Sequence, residues 1–429
     1  MTVTGPEYLG SAAADALRTK PRTAGEPREA EAVAGRAVGD RDLWQNRVYV
    51  DVDAFARNVR AIRAYVGRHR ELLAVVKDDA YGHGAAELSR VAVAEGVDIL
   101  GVVNVDEARA LRVAGITSPI LVLGATAPAG AAEIPRWGLA TIACHLEFAE
   151  ALEAGAREAR QRVPVFVKVD TGMGRLGIAP RDVARFCDRL RDLPHLSLQG
   201  LLTHLPDADD KGFSREQVAV FEKLINEVRR RGYAIPRNHV ANSAAILDLP
   251  EAYFNLVRAG IILYGIYPSD AVKRSIALEA VMCCRTPVIF SKEVRPGDTI
   301  SYQRTYEVKE KSTVVTTPMG YRHGYPRLLS NRAEGLWRGR RVPVAGLVCM
   351  DMTMFDLGPG ARARLGEEVT VLGRDGDEEI TADELASHAE TVSYEMITSL
   401  GMRSRRYYLK GGLLYLEPRE RRALSGQYY

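Results

Sequence analysis

Short apolar runs alternate with amphipathic segments through roughly the first two thirds of the chain. Residues 55–65 illustrate the amphipathic segments, with apolar side chains at helical spacing: Phe55, Val59, Ile62 and Tyr65. The apolar runs suit buried strands, and the candidates are 72–77, 99–104, 119–124, 139–144, 165–170, 198–204, 238–242 and 256–260. Strands that alternate with helices in this way predict parallel β-α units.

The number of these units predicts an α/β fold of the (β/α)8 TIM-barrel type, with an active site at the carboxyl ends of the strands. An open doubly wound sheet is the alternative, but no G-x-G-x-x-G opens a helix here. Beyond about residue 275 the pattern changes to β-prone runs separated by turns. We therefore predict a barrel over residues 41–275 and a mostly β C-terminal domain over 276–429, with 41–52 able to pair with the β domain instead.

Composition narrows the class of protein. Residues 1–40 contain few large apolar side chains, which predicts a disordered extension. The net charge of +3 gives no reason to expect nucleic acid or a membrane surface as a partner. The five cysteines form no C-x-x-C pair, so we expect free thiols and no metal site. With no signal-peptide pattern at the N-terminus, these features predict a cytoplasmic protein.

Chemistry-bearing residues follow several of the predicted strands. Lys77 ends the first one, where partial desolvation favours a neutral, nucleophilic amine. The corresponding residues of later strands are Lys168, Asp170, Arg175, Thr203, His204, Asn242, Ser243, Arg258, Gly260 and Ile261. Barrel enzymes commonly bind phosphate in the loops after strands 7 and 8. A lysine combined with such a phosphate cradle favours a pyridoxal phosphate site, although Ser243 alone also fits a helix cap and His204 alone a core histidine.

Nine motifs make the chain resemble the alanine racemase family, which consists of pyridoxal-phosphate enzymes with a barrel followed by a β domain. The resemblance runs from about residue 46 to about residue 407. Its motifs are AVVKDDAYGHG, VKVDTGMGRLGI, THL, ANSAAIL, VRAGIILYG, ISYQRTY, PMGYRHGYPR, VCMDM and SYEMIT. The resemblance implies an isomerase that interconverts L- and D-alanine, as in D-alanine biosynthesis, with pyridoxal 5'-phosphate as cofactor.

The resemblance also implies a role for each matching residue. Lys77 would hold the cofactor and act as one base, and Tyr302 of the partner subunit would be the second base in a head-to-tail homodimer with shared active sites. Arg258 would contact the pyridine nitrogen, with His204 bonded behind it, and Arg175 would contact the phenolic oxygen and the substrate. The phosphate would be bound by Tyr81, Ser243, Gly260, Ile261 and Tyr394, and the substrate carboxylate by the backbone N–H of Met350 of the partner subunit. Asp209, Tyr321 and Arg327 would line the substrate entrance, and Lys168 matches a lysine that some members carbamylate.

Several positions depart from the family pattern near the expected substrate entrance. They are Asp78, Gln303, Arg322, His323, Leu347 and Met352. These departures leave a racemase of serine or another amino acid as an alternative. A fold-related pyridoxal-phosphate decarboxylase is a further alternative, although Cys349 lies within the racemase-like VCMD. A non-catalytic pyridoxal-phosphate-binding protein is the third, although such proteins lack a β domain bearing Tyr302.

Overall fold

The computed structural model describes residues 45–415, and the predicted extension over residues 1–40 lies outside this range. After β1 (Arg47–Asp51), the barrel strands are β2 (Glu71–Val75), β3 (Ile99–Val102), β4 (Ile120–Val122), β5 (Ala140–Ala143), β6 (Val163–Lys168), β7 (Leu196–Leu202) and β8 (Leu256–Ala259). The strands β2 to β8 form one parallel sheet in the order β7-β6-β5-β4-β3-β2-β8. The prediction of a TIM-like barrel is confirmed.

The predicted seventh strand is not a regular strand, but it still occupies the gap between β7 and β8. Asn238, the first residue of this segment, accepts a hydrogen bond with its side chain instead of its backbone carbonyl. Leu201 N of β7 donates to Asn238 Oδ1 at 2.9 Å. Backbone bonds follow on both sides, from His239 N to Leu201 O at 3.1 Å and from Arg258 N to Ala241 O at 3.0 Å. These bonds connect the two ends of the sheet and complete the barrel.

Helices surround the barrel and bury their apolar faces against it. They are α1 (Val52–Val66), α2 (Ala85–Ala94), α3 (Val105–Val113), α4 (Glu133–Arg136), α5 (Leu146–Glu158), α6 (Val183–Arg191), α7 (Lys211–Arg230) and α8 (Ser243–Asp248). In α1, Phe55, Val59 and Ile62 are fully buried, as their spacing predicts. Tyr65 differs, because its ring is exposed and its hydroxyl donates to Leu247 O at 3.2 Å.

The C-terminal part of the chain is mostly β, as predicted. Its strands are β9 (Met282–Pro287), β10 (Phe290–Val294), β11 (Thr299–Ile300), β12 (Tyr306–Glu307), β13 (Ser312–Thr317), β14 (Glu334–Trp337), β15 (Arg340–Pro343), β16 (Thr353–Asp356), β17 (Glu368–Asp375), β18 (Glu378–Ile380), β19 (Arg405–Lys410) and β20 (Leu413–Tyr415). Helices α9 (Ala382–His388) and α10 (Ser393–Arg403) lie between β18 and β19. The N-terminal strand β1 belongs to this part, since it pairs antiparallel with β9 and parallel with β19.

One continuous cluster of buried apolar side chains extends through both parts of the molecule. It includes Leu73 and Leu100 of the barrel together with Phe355 and Val369 of the β part. The two parts therefore pack against each other without a layer of solvent-exposed polar residues between them. Over residues 45–415, none of the helices combines the length and apolar character that crossing a membrane requires.

Candidate active site

Lys77 lies at the start of a left-handed turn that follows β2. Residues 78–81 all have φ values from 51° to 56°, a conformation that costs roughly 1–2 kcal/mol for each non-glycine residue. Side chains support the turn: His83 Nδ1 donates to Ala80 O at 3.0 Å, and Ala85 N donates to Asp79 Oδ1 at 2.7 Å. The turn brings Lys77 Nζ to 5.8 Å from the centre of the Tyr81 ring.

Two hydroxyl groups converge on the backbone of Gly260. Gly260 N donates to Ser243 Oγ at 2.9 Å. A Cβ atom at Gly260 would lie only 3.1 Å from Tyr81 Oη and 3.5 Å from Ser243 Oγ. The ring of Tyr394 lies beside this group, with its centre 6.0 Å from that of Tyr81. We call Tyr81, Ser243, Gly260 and Tyr394 the cradle, because their polar groups surround a space that a larger side chain at Gly260 would enter.

The structure distinguishes the roles of the residues that flank the cradle. Asn242, not Ser243, caps α8, since Ala245 N donates to Asn242 Oδ1 at 3.0 Å. The hydroxyl of Ser243 faces Gly260 instead. Ile261 follows Gly260 at the start of the short 3₁₀ helix Ile261–Tyr264 and is fully buried. The cap interpretation of Ser243 therefore does not account for its position.

Arg258 is buried between two histidines at the end of β8. Its Nη1 donates to His239 Nδ1 at 2.8 Å, and its Nη2 donates to His204 Nδ1 at 3.2 Å. Burial and then the Arg258 charge lower the pKa of His204 to about 3 and that of His239 well below its ordinary value. Burial lowers the pKa of Arg258 to about 10. At neutral pH, Arg258 is thus a cation held by two neutral rings.

Backbone carbonyls complete the surroundings of the Arg258 guanidinium. Its Nη2 also donates to Thr203 O at 2.9 Å and to Val240 O at 2.8 Å. Sequence reasoning identified Arg258, Thr203 and His204 but missed His239. The available signal was a histidine inside the seventh candidate strand, whose neighbours already included Asn242 and Ser243.

Lys168 and Arg175 add positive charge to the same end of the barrel. Lys168 is buried, and burial together with the Arg258 charge lowers its pKa to about 7. Arg175 is exposed in the loop after β6, where Gly172 N and Gly174 N donate to Asp170 Oδ1 at 2.9 and 3.1 Å. The Arg175 charge contributes to the lowered pKa of both Lys168 and His204, so these cations lie within electrostatic range of one another.

The residues expected at the substrate entrance fall into two groups. Asp209 is exposed on the barrel side, and its charge, after burial, helps raise the pKa of Tyr394 to about 12. Tyr321 and Arg327 are exposed on the β part, within the short 3₁₀ helices Tyr321–His323 and Arg327–Leu329. Within residues 45–415, no hydrogen bond or ion pair joins these two groups.

Tyr302 lies in an open pocket on the β part of the molecule. The pocket has a volume of about 450 Å³ and is lined by Ser301, Tyr302, Cys349, Met350, Asp351 and Met352. Tyr302 is 69% exposed, and no hydrogen bond or ion pair between described residues connects it to Lys77. The structure therefore brings Lys77, the cradle and Arg258 to one end of the barrel, while Tyr302 and Met350 form a separate surface, which we call the Tyr302 pocket.

Four of the positions that the sequence analysis singled out lie in or beside this pocket, and one of them, Met352, lines it. Gln303 has φ 59°, a left-handed conformation that glycine adopts without strain. Ser301 Oγ donates to Leu347 O at 2.7 Å. Arg322 forms an exposed ion pair with Asp351, with 3.3 Å between Nη1 and Oδ1. These positions belong to the rim of the Tyr302 pocket and not to the cradle.

Comparisons with known proteins extend over almost all of the described chain. The family models "Alanine racemase, N-terminal domain" and "Alanine racemase, C-terminal domain" match residues 50–268 and 281–408. Alanine racemase of Desulfovibrio desulfuricans is 40% identical over 373 residues, which cover 86% of this chain and 99% of that protein. The alanine racemase of Desulfosudis oleivorans is 41% identical over 386 residues, covering 87% and 98% of the two chains.

Solved structures give the same result. Alanine racemase from Clostridium difficile 630 superposes with a TM-score of 0.82 at 32% identity, covering 87% of this chain and 97% of that one. A structure of the Bartonella henselae alanine racemase with covalently bound pyridoxal phosphate superposes with a TM-score of 0.76 at 25% identity, covering 85% and 99%. The similarity thus includes both the barrel and the β part of the chain.

Proposed function

Because this chain belongs to the alanine racemase family, we propose that it interconverts L- and D-alanine with pyridoxal phosphate as its cofactor. The observation that supports this most directly is the convergence of Tyr81 and Ser243 on Gly260, close to Lys77. Five unpaired cysteines suit the cytoplasmic location that we also propose.

The cradle has the hydroxyl donors that a phosphate group requires. Tyr81 and Ser243 would donate their hydroxyls to the phosphate, and the missing side chain at Gly260 lets the phosphate approach the backbone. The backbone N–H of Ile261 and the hydroxyl of Tyr394 would complete its binding, while the N–H of Gly260, which donates to Ser243 Oγ, would orient that hydroxyl. The residues present therefore fit the phosphate of the cofactor.

Lys77 and Arg258 would hold the two ends of the cofactor ring. Lys77 Nζ would bind it covalently, and Arg258 would donate to its pyridine nitrogen. With a pKa of about 10, Arg258 keeps its proton at neutral pH, and His204 and His239 orient the guanidinium. When bound, pyridoxal phosphate delocalises the electron pair that the substrate's α-carbon releases. Arg175 and the backbone N–H of Met350 of the partner subunit would bind the substrate carboxylate.

Racemisation requires removing a proton from one face of the α-carbon and delivering one to the opposite face. We assign the first face to Lys77 Nζ and the second to the hydroxyl of Tyr302 of the partner subunit. The exposure of Tyr302 and its separation from Lys77 support a head-to-tail homodimer in which each site uses both chains. In this arrangement the barrel of residues 41–275 binds the cofactor, and the β domain of 276–429 supplies Tyr302. Asp209, Tyr321 and Arg327 would then line the substrate entrance.

Lys168 supports a chemical modification at the same end of the barrel. With its pKa lowered to about 7, much of this buried amine is neutral, which is the form that attacks carbon dioxide. The new N–C bond and loss of one proton would give a carbamate anion, which would offset the charges of Arg258 and Arg175. A carbamate carbon signal after growth or incubation with ¹³C-bicarbonate, absent from Lys168→Met, would test this modification.

The test of the proposed function is a panel of L-amino acids with chiral analysis of the products. We expect alanine to be racemised far faster than any other substrate. The altered rim, with Arg322 paired to Asp351, favours serine or another amino acid as a second candidate, and faster turnover of that substrate would replace alanine in the proposal. Release of carbon dioxide would indicate a decarboxylase instead. Cofactor absorbance without α-proton exchange in deuterated water would indicate a binding protein.

Mixing two inactive variants tests the shared site. Lys77→Ala and Tyr302→Phe each remove one base, so homodimers of either variant should be inactive. A mixed dimer would contain one site with both bases, and we expect activity to return after subunit exchange. If exchange is confirmed by differently tagged chains and no activity returns, the two bases do not come from different subunits.

A further inference from the structure

The turn that carries Lys77 is docked against the β part of the molecule by direct backbone contact. A Cβ atom at Gly82 would lie 2.8 Å from Ile397 O, and one at Gly401 would lie 2.2 Å from Gly82 O. Helix α10, which contains Ile397 and Gly401, therefore fits against the turn without intervening side chains. A Cβ at Gly84 would lie 1.8 Å from Tyr408 Oη of β19, so the end of the turn has a similarly close neighbour.

One side chain from β19 connects the parts of this junction. Arg406 Nη2 forms an ion pair with Asp79 Oδ2 at 2.5 Å. Its Nη1 donates to Gly82 O at 3.3 Å and to Gly401 O at 3.2 Å. Arg406 thus binds the turn at two points and α10 at a third, and a guanidinium is suited to several acceptors at once because its donors are fixed in a plane.

The turn requires such support because its conformation is intrinsically unfavourable. Residues 78–81 include no glycine, yet all four are left-handed, and such a segment persists only when its surroundings hold it there. Asp79 is the residue through which the surroundings act, since its Oδ1 accepts from Ala85 N at 2.7 Å while its Oδ2 faces Arg406. Lys77 precedes this segment and Tyr81 ends it.

We propose that Arg406 is a positioning residue for the cofactor: by holding Asp79 and the carbonyl of Gly82, it fixes the left-handed turn and sets the separation between Lys77 Nζ and the Tyr81 hydroxyl. This inference rests on the proposed function, because it assumes that Lys77 and Tyr81 bind opposite ends of pyridoxal phosphate. It adds that a residue of the β part determines the affinity of its own chain's barrel for the cofactor.

The test measures pyridoxal phosphate affinity by titrating cofactor-depleted protein and following the absorbance of the lysine-bound cofactor. We expect Arg406→Met to weaken affinity by about tenfold or more, since it removes an ion pair and charge-assisted hydrogen bonds. Arg406→Lys keeps the charge near Asp79 and should restore part of the affinity. The matched control is Arg332→Met, which also removes one ion pair, to Glu390 at 2.6 Å, and one carbonyl contact, to His388 O at 3.4 Å.

Asp79→Asn tests whether Arg406 acts through the turn. The double variant Asp79→Asn, Arg406→Met should lose less affinity than the sum of the two single losses, because both changes break the same contact. If Arg406→Met fails to fold, Asp79→Asn and Arg406→Lys provide the same measurement with milder changes. Unchanged affinity in these variants, or an equal loss in Arg332→Met, would overturn the inference. Failure of the unaltered protein to bind pyridoxal phosphate through Lys77 would overturn the proposed function itself.

Discussion

The cradle and the Tyr302 pocket contain the two groups of residues that racemisation needs, but their physical environments are opposite. In the cradle, Ser243 and Gly260 are buried and hydrogen-bonded to each other. In the pocket, Tyr302, Met350 and Met352 are exposed by 69%, 54% and 45%. Buried polar groups need partners within the chain, whereas adjacent exposed apolar side chains are typical of a surface that another molecule covers.

This difference suggests which steps a single chain can carry out and which need a second subunit. A single chain can position every group of the cradle, because strand ends, the left-handed turn and α10 all contact one another. A single chain cannot enclose Tyr302 in the same way, since no described hydrogen bond or ion pair connects the Tyr302 pocket to Lys77. Cofactor binding should therefore depend on groups within one chain, and catalysis should depend in addition on the partner subunit.

Tyr302→Phe should separate these two properties most strongly. We expect the racemisation rate to fall by about 10²–10⁴-fold, which is the usual contribution of a positioned acid or base, while pyridoxal phosphate affinity stays unchanged. Both are measured on the same protein sample, by chiral analysis and by absorbance. The control is Tyr306→Phe, whose hydroxyl donates to Asp356 Oδ2 at 2.8 Å and should not affect the rate. Equal losses in the two variants would contradict the role of Tyr302.

Acid should destabilise the folded protein through the buried His83, which lies just after the left-handed turn. Burial lowers the pKa of His83 to about 4, whereas an unfolded histidine has a value of about 6.5. Between these values the unfolded chain binds a proton that the folded chain does not, so stability decreases as pH falls. The expected contribution of His83 between about pH 7.5 and about pH 5 is roughly 2 kcal/mol.

Urea unfolding at these two pH values measures the effect. His83→Gln should lose less stability on acidification than the unaltered protein does, even if it is less stable at both pH values. His69→Gln, which changes an exposed histidine, should leave the pH dependence as it is. An equal pH dependence in the His83 variant would show that this ring does not stay neutral in the folded protein.

Gly260→Ala should have a smaller effect that is confined to the cradle. Its Cβ would lie 3.1 Å from Tyr81 Oη, so the tyrosine must move by a few tenths of an ångström and the phosphate loses space. We expect about tenfold weaker cofactor binding, equivalent to about 1.4 kcal/mol. Gly212→Ala in α7 is the control, because its Cβ would meet only Asp210 Oδ1 at an ordinary 3.4 Å. Unchanged affinity in Gly260→Ala would argue against phosphate at this position.

Arg322→Ala should have the smallest effect, at the rim of the Tyr302 pocket. Its ion pair with Asp351 is largely exposed, and such pairs contribute less than about 1 kcal/mol to stability. We expect a change in unfolding free energy below that value and a few-fold change in the ratio of alanine to serine turnover. Arg185→Ala, which removes the exposed pair with Asp182, should match the stability change without altering the ratio. A larger loss of stability would mean that the rim is more constrained than its exposure indicates.

The barrel was predictable from the sequence because strand and helix periodicities alternate over many repeats. The candidate residues at strand ends followed from the same pattern, since parallel strands place their carboxyl ends together. The short strands β18 and β20 have only three residues each, too few to establish a periodicity. The prediction of a regular seventh strand was wrong, because the side chain of Asn238 replaces a backbone acceptor. The spacing of apolar residues does not reveal such a replacement.

Contacts between residues that are distant in the sequence limited how much of the candidate site could be predicted. Arg406 acts through residues that are distant in sequence, so no local pattern identifies it, whereas the place of His239 inside the seventh candidate strand was a signal that could have been used. The left-handed turn was also unpredictable, because Asp78, Asp79, Ala80 and Tyr81 contain no glycine to announce positive φ. The motif around Lys77 indicated the chemistry of this segment but gave no information about its shape.

The placement of β1 has a consequence for how the molecule is made. Among the strands of residues 45–415, β1 is synthesised first, yet it pairs with β9 and β19, and Arg47 lies opposite Arg405. Its parallel neighbour therefore leaves the ribosome only when nearly all of the described chain has been translated, and until then one edge of β1 has no permanent partner. A cut between the barrel and the β part would leave β1 attached to the fragment that does not contain its sheet, so neither piece would be expected to refold as a complete unit.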